Sequence, residues 1–561
     1  MKKFRWQILI LCVTGLVVGI LLILERQGGI LSATSPQAAS GGIYTEALVG
    51  SLQRLNPILD QANEADQDVD RLIFSGLIKF DSSGNAQGDL AKSWSASEDG
   101  ILYTFELNDA VKWHDGKSFS ADDVIFTIDL LKKGGASIPA DLSKFWTDID
   151  VIKLDATHLQ FKLPQAFAPF LDYLTFGVLP QHLLNGQTYD QILSSSFNLQ
   201  PVGTGPFMFS DISVEGDQIK GITLSANKNY YGQKPFIQQI VFRYYPDSAS
   251  AYQAYKDGYV QGISKVTNDI LADVLANNDL GVYSGRMPQL SMVFINLKDE
   301  SVSFFQDVKV RKALYLAINR QQIIDKVYNG QAIKANGVIF PGTWSYLDST
   351  PTYAYDPDQA KDLLKEAGYV VSGDTETVRK KDDTELKFVL SYPDDDLHKA
   401  IAEMIQSDWK ALDINVSLEA VPVDVFVKEK LDSRGYQAAL ADINFANSPD
   451  PDPYPFWDQG QITGGQNYSQ WNDRTVSDTL EQARVTVDQA ERTRLYHNFQ
   501  YLYAEQLPAF PLFYPVYNYA VDKQIQGVSM GPLFSTSDRF DAVTSWFMVS
   551  KRTSTEEATT K

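Results

Sequence analysis

An α/β protein of two lobes is the fold this sequence predicts, on three observations. The chain has 561 residues, more than one hydrophobic core usually organises. Its first half reads as short alternating strands, whereas from about residue 285 onward helices and apolar strands take turns, the rhythm of an α/β unit. A hydrophobic share of 44% is ample for packed cores.

The N-terminus combines basic MKKFRWQ with an unbroken apolar run from Ile8 to Leu24. That pattern is an export signal whose basic end stays in the cytoplasm. The run gives about 26 Å of helix, and Glu25-Arg26 follows where a cleavage site would need small residues. Residues 1–26 therefore read as an uncleaved signal anchor, with a cleaved signal peptide as the alternative. Cys12 is the only cysteine; Leu11 before it does not suit a lipidation site, so it reads as a residue of that helix. Residues 27–42, rich in Gly, Ser and Ala, form a linker. The net charge of −21 argues against nucleic acid as a partner.

Beyond the linker, Gly42–Leu48 predicts a strand and Asn56-Pro57 a turn. DSSGN at Asp81 spaces its oxygens like a calcium loop but has Ala86 where the bend needs Gly, so a reverse turn is expected. Tyr103, Phe105 and Leu107 alternate as a strand, and Ser120 with Asp123 caps a helix that buries Val124, Ile128 and Leu131. His114 has no second ligand nearby in sequence and reads as structural. PVGTGPF at 201–207 lacks the Lys-Ser/Thr of a phosphate loop and reads as a tight turn.

In the second half, Met292–Leu297 is an apolar strand and Val310, Ala313, Leu314 and Ala317 share one helix face. Asp356 and Pro357 open a helix that Gly368 stops. The run from Asp442 to Gly460, DINFANSPDPDPYPFWDQG, collects acids, prolines and aromatics. Its prolines argue against helix or interior strand, leaving a stiff aromatic-lined loop suited to a ligand cleft. LPAFPLFYPVYNYAVD is Pro-rich and extended, and 549–561 is a polar, disordered tail.

No nucleophile–base set, metal set or cofactor loop stands out, so neither catalysis, metal nor cofactor is expected; a glycosidase-like acid pair in an exported hydrolase is the distant alternative. Two lobes with an aromatic loop suit a hinge-closing binding protein.

The motifs LNP (55–57), IFSGLIKFD (73–81), DLAKSW, TFELNDAVKWHDGKSFSADDVIFT, PVGTGPF, DVKVRKALYLAINR, DPDQAKDLLKEAGY and LPAFPLFYP occur in an order and spacing that resemble the family 5 extracellular solute-binding proteins. Members deliver peptides, nickel or other solutes to ABC importers. The resemblance implies a two-lobe, hinge-bending, periplasmic-binding-protein-like fold. Lobe one would span 43–288 with an α+β subdomain inserted at about 82–200, lobe two 289–512, and 513–548 would return to lobe one. It implies a monomer that passes a small solute to permease subunits from outside the cytoplasm, tethered through the N-terminal helix. An oligopeptide is the expected solute; an oligosaccharide, another polar solute, or a receptor role for a sensor are alternatives.

Peptide-binding members hold the peptide's amino terminus with an Asp in an Ala-Asp-x-x-x-Pro segment. Here Ala446 and Pro451 place Asn447 at that position, with Asp450 or Asp452 as substitutes. Members that bind nickel use a histidine in this region, and none lies between His398 and His497. Phe445, Asn447, Ser448 and Asp450 are the expected ligand residues of the loop. Trp457, Tyr468, Trp471 and Trp146 are candidate platforms, with core packing as the other reading of each.

Overall fold

The computed structural model describes residues 40–135, 138–371 and 377–549. The signal segment 1–26 with Cys12, most of the linker and nearly all of the tail lie outside the described residues. Among those described, no helix is long and apolar enough to cross a membrane.

Strand β1 (Ile43–Val49) buries Tyr44, Glu46, Ala47 and Leu48 and leads through the Asn56 turn to α1 (Glu64–Ile73), whose first turn is capped by Asn63 accepting from the Ala65 N–H at 3.1 Å. A four-stranded antiparallel sheet follows, ordered Ala91–Ala96, Leu102–Leu107, His158–Lys162, Asp150–Lys153. Tyr103, Phe105 and Leu107 turn inward from it, as their alternation predicts. Helix α2 (Ala121–Lys133) starts where Ser120 and Asp123 form the expected capping box and buries Val124, Ile128 and Leu131. His114 is structural: its ring meets the Gly205 carbonyl at 3.0 Å and accepts the Gly203 N–H at 3.1 Å.

The main sheet has twelve strands. β1 pairs in parallel with β2 (Gln239–Tyr245) and with the short β3 (Gly262–Ile263). β4 (Leu280–Arg286) and β5 (Gln289–Ile295) follow, then α3 (Val308–Ala317), capped by Asp307 and burying Val310, Ala313, Leu314 and Ala317. β6 (Ala438–Asn444) lies antiparallel to β5. After α4 (Gln489–Gln506) comes β7 (Ala509–Asp522), the longest strand. Its first residues, Ala509 to Phe513, pair with β5; Val516 to Asp522 pair with β4. One continuous strand thus runs from one half of the molecule into the other. Proline is tolerated inside it because Pro511 faces Met292 beside a bulge, where the ladder is already interrupted.

The cores divide along the same line. Tyr44, Phe105, Trp146 and Phe242 share a core with Tyr519, Phe540 and Trp546 from the chain's end, while two others are built from residues between Leu290 and Tyr514. A fully buried charge cluster secures the end segment. The Arg539 guanidinium, 0% exposed, donates to Glu46 and Asp68, each at 2.8 Å through Nη2. Tyr44 and Tyr519 donate to the other Glu46 oxygen at 2.7 and 2.6 Å. Each oxygen of the Glu46 and Asp68 carboxylates accepts at least one hydrogen bond, which buried ions require.

The segment 442–460 differs from the all-loop expectation. β6 runs through Asp442 to Asn444, and Tyr454–Trp457 forms a helical turn. Pro453 and Pro455 do not prevent that turn, because the first residues of a helix have no intrahelical N–H partner to lose.

Candidate functional site

Between those two elements the chain turns sharply. Asn444 Oδ1 accepts the Ala446 N–H at 2.9 Å, and Asn447 adopts a left-handed backbone with φ 59°. Asn tolerates that conformation far better than bulkier residues. The turn presses against the other half of the molecule: the Asn447 N–H donates to the Phe534 carbonyl at 2.8 Å and the Asp450 N–H to Asp172 Oδ2 at 3.1 Å. From the opposite side, the Asp81 turn offers Ser83, whose carbonyl accepts the Trp344 N–H at 3.0 Å. Gly84, φ 76°, is required there, since a Cβ would sit 3.1 Å from the Pro449 carbonyl.

The two acids of the loop are both occupied. Asp450 and Arg492, with side chains 8% and 7% exposed, form a bidentate ion pair at 2.6 and 2.8 Å. Arg484 grips Asp452 with Nε and Nη2 at 3.0 and 2.9 Å, its guanidinium 4.3 Å over the Tyr454 ring. Burial pushes the Asp452 carboxyl up, with Arg484 opposing. Burial, followed by repulsion from Asp450, holds Asp172 well above the usual carboxylate range. Neither loop acid is free to take a ligand amine.

The aromatic candidates pack inward. Trp457 stacks near Phe294 at 6.3 Å and meets Tyr503 edge-on at 4.8 Å. Trp471 donates its indole N–H to Gln506 Oε1 at 3.0 Å, and Tyr468 stands edge-on to Phe294 at 5.4 Å under the Arg434 guanidinium. Trp146, 0% exposed, is enclosed by Phe145, Phe161, Phe170 and Phe176. For these four the core-packing alternative is what the contacts describe, because each side chain is buried. Phe445 is half-buried against Phe340 and Phe456, and Ser448 is exposed.

A cavity of about 1130 Å³ lies under this turn. Of the candidate ligand residues only Asn447 lines it; most of its wall comes from the first half and the chain's end. Asp60, Asp70, Asp89 and Asp172 line it, with Arg71 and Lys79 as counter-charges. Arg71 turns to Asp541 at 2.7 Å. Tyr231 donates to Asp89 and accepts from the Ser75 hydroxyl at 3.0 Å. The sequence reading missed these residues. Its available signal was the run EADQDVDR, where acids at every second position of a helix cannot all face water. Among the described residues no group of three or more His, Cys, Asp or Glu is placed to hold a metal ion.

The family model described as bacterial extracellular solute-binding proteins, family 5 Middle, matches residues 85–464. The chain belongs to that family. This family 5 chain is 27% identical over 512 residues to a dipeptide-binding protein of Escherichia coli (strain K12), a match covering 86% of this chain and 91% of that protein. It is 26% identical over 512 residues to the oligopeptide-binding protein AppA of Bacillus subtilis (strain 168), covering 89% and 91%. Among solved structures, HbpA2 from Haemophilus parasuis superposes with a TM-score of 0.78 at 22% identity, over 89% of this chain and 99% of that one, a likeness of fold. NikZ from Campylobacter jejuni in complex with Ni(L-His) gives 0.66 at 26% identity, over 90% and 99%. The two-lobe α/β expectation agrees with these neighbours. The family consists of binding proteins rather than enzymes.

Proposed function

We propose that this chain is the extracytoplasmic substrate-binding subunit of an ABC importer, which encloses an oligopeptide between its lobes and hands it to the permease without chemical change. The observation that carries the reading is the 1130 Å³ cavity beneath the Asn447 turn, in a chain whose curated relatives are dipeptide- and oligopeptide-binding proteins. Lobe one is 43–288 with an inserted subdomain at about 82–200, lobe two 289–512, and 513–548 the return. The division of the cores and the two-sided pairing of β7 support a crossing between the lobes within that strand, with Phe513 and Tyr514 still packed in the second-half cores. The strand is then the natural hinge, since its backbone ladder connects both bodies. A membrane tether through the N-terminal segment keeps a monomer near its permease; the apolar run Ile8–Leu24 supports that reading.

Native mass spectrometry of the full chain, purified in mild detergent, tests the assignment. Co-purified peptides of mixed sequence are the expected finding, and a bound oligosaccharide would overturn the peptide reading. Loss of binding to the purified permease would replace the transport role with that of a receptor.

A further inference from the structure

We propose that Asp60 and Asp70 form a cation subsite in the cavity wall, holding an ammonium or guanidinium group of the bound solute. The inference rests on the importer reading above and names the chemistry its ligand must carry. Both residues line the cavity. Asp70, on α1, is 3% exposed, and apart from the neighbouring Asp60 carboxyl no side chain among the described residues bonds its carboxylate oxygens. A buried polar group left unpaired costs about 1–3 kcal/mol, so the missing counter-charge calls for an explanation.

The surroundings make the gap specific. The other acids of α1 are satisfied: Asp66 accepts the N–H groups of Gln53 and Arg54 at 2.9 and 3.0 Å, and Asp68 is held by Arg539. Arg71, next in sequence, points to Asp541 instead. Gln67 donates to the Asp60 carbonyl at 3.3 Å and leaves the carboxylate alone. In the second half the corresponding acids, Asp450 and Asp452, each own an arginine. The Asp60–Asp70 pair has no basic side chain bonded to it, and both residues belong to the wall of the cavity.

Without a cation the pair stays together by holding a proton. Burial, with Asp66 adding, pushes Asp60 up to about 7 against the opposing effect of Asp70. Burial and the charges of Asp60 and Asp66 push Asp70 well above the carboxylate range. An arriving cation takes over the neutralising role. The carboxylic acid gives its proton to solvent, and the pair becomes two carboxylates around one positive group. Binding is therefore coupled to proton release, which a purely structural acid pair would not produce.

The test uses the full chain in detergent, as wild type, Asp70→Asn and Asp60→Asn, with melting curves to show that each variant is folded. The probes are a tripeptide mixture free of Lys, Arg and His, the same mixture N-acetylated, an N-acetylated mixture containing one Lys, and spermidine. Retention is read by mass spectrometry and proton release by calorimetry in buffers of different ionisation enthalpy. Expected is retention of the free-amine or Lys-containing mixture, at least tenfold weaker in both variants, with proton release lost in Asp70→Asn. Spermidine bound alone in an Asp70-dependent way keeps the subsite and removes the peptide reading. Equal retention of the N-acetylated, Lys-free mixture, variants that bind like wild type, or binding of no probe would each overturn the subsite.

Discussion

Two pairs of buried aspartates, Asp450 with Asp452 in the second half and Asp60 with Asp70 in the first, are treated in opposite ways. In the second half Asp450 and Asp452 are matched one to one by Arg492 and Arg484, whereas in the first half Asp60 and Asp70 line the cavity with no arginine. The paired acids fasten a turn; the unpaired ones leave a charge requirement open. Burial alone therefore does not mark a ligand-facing acid in this protein; Asp60 and Asp70 stand out because no N–H group or basic side chain among the described residues bonds their carboxyls.

The comparison breaks most visibly if a counter-charge is removed. Arg492→Ala leaves Asp450 buried without a partner, and a loss of about 3–5 kcal/mol is expected by urea unfolding; a loss below 1 kcal/mol would mean the pair is not what holds the turn. Trp457→Ala should cost a similar ~3–5 kcal/mol through its cavity in the core, with peptide affinity preserved in the molecules that remain folded. A fall in affinity at unchanged stability would return Trp457 to the cleft.

The unpaired acids should show themselves through pH. A carboxyl whose folded pKa is raised stabilises the fold below its unfolded value and loses that contribution as pH rises through the folded value. Asp60, raised from 3.8 to about 7, thus makes the ligand-free wild type less stable across that window, by about 1.4 kcal/mol per unit of pKa shift. Asp60→Asn combined with Asp70→Asn should flatten the curve measured at pH 4.5 and 7.5. An unchanged slope would show that other buried acids carry it.

Smaller effects sharpen the role of the turn. Asn447→Asp keeps a side chain suited to φ 59° and adds charge at the cavity edge. Affinity for free-amine peptides should rise about tenfold, or 1.4 kcal/mol, and a fall would argue against an amine near this position. Ser448→Ala, at an exposed position, should change stability by no more than about 0.5 kcal/mol.

Much of the local architecture was legible. The Ser120–Asp123 capping box, the Asp356 cap and the inward faces of α2 and α3 follow from neighbours within a few residues, and such short-range interactions leave periodic marks in a sequence. The candidate ligand residues were much less legible. Trp146, Trp457, Tyr468 and Trp471 have the composition of a binding platform, but a large aromatic serves a core equally well. Asp450 and Asp452 resembled free acids because Arg492 and Arg484 lie 42 and 32 residues away.

By itself the sequence determined the two-lobe α/β class, the family motifs and the Asn at position 447, since these depend on residue order and local pattern alone. Only the tertiary structure decided which carboxylates meet a cation. That outcome depends on side chains brought together from α1, α4, β7 and the chain's end, where low-dielectric surroundings make a partner's presence or absence count for several kcal/mol.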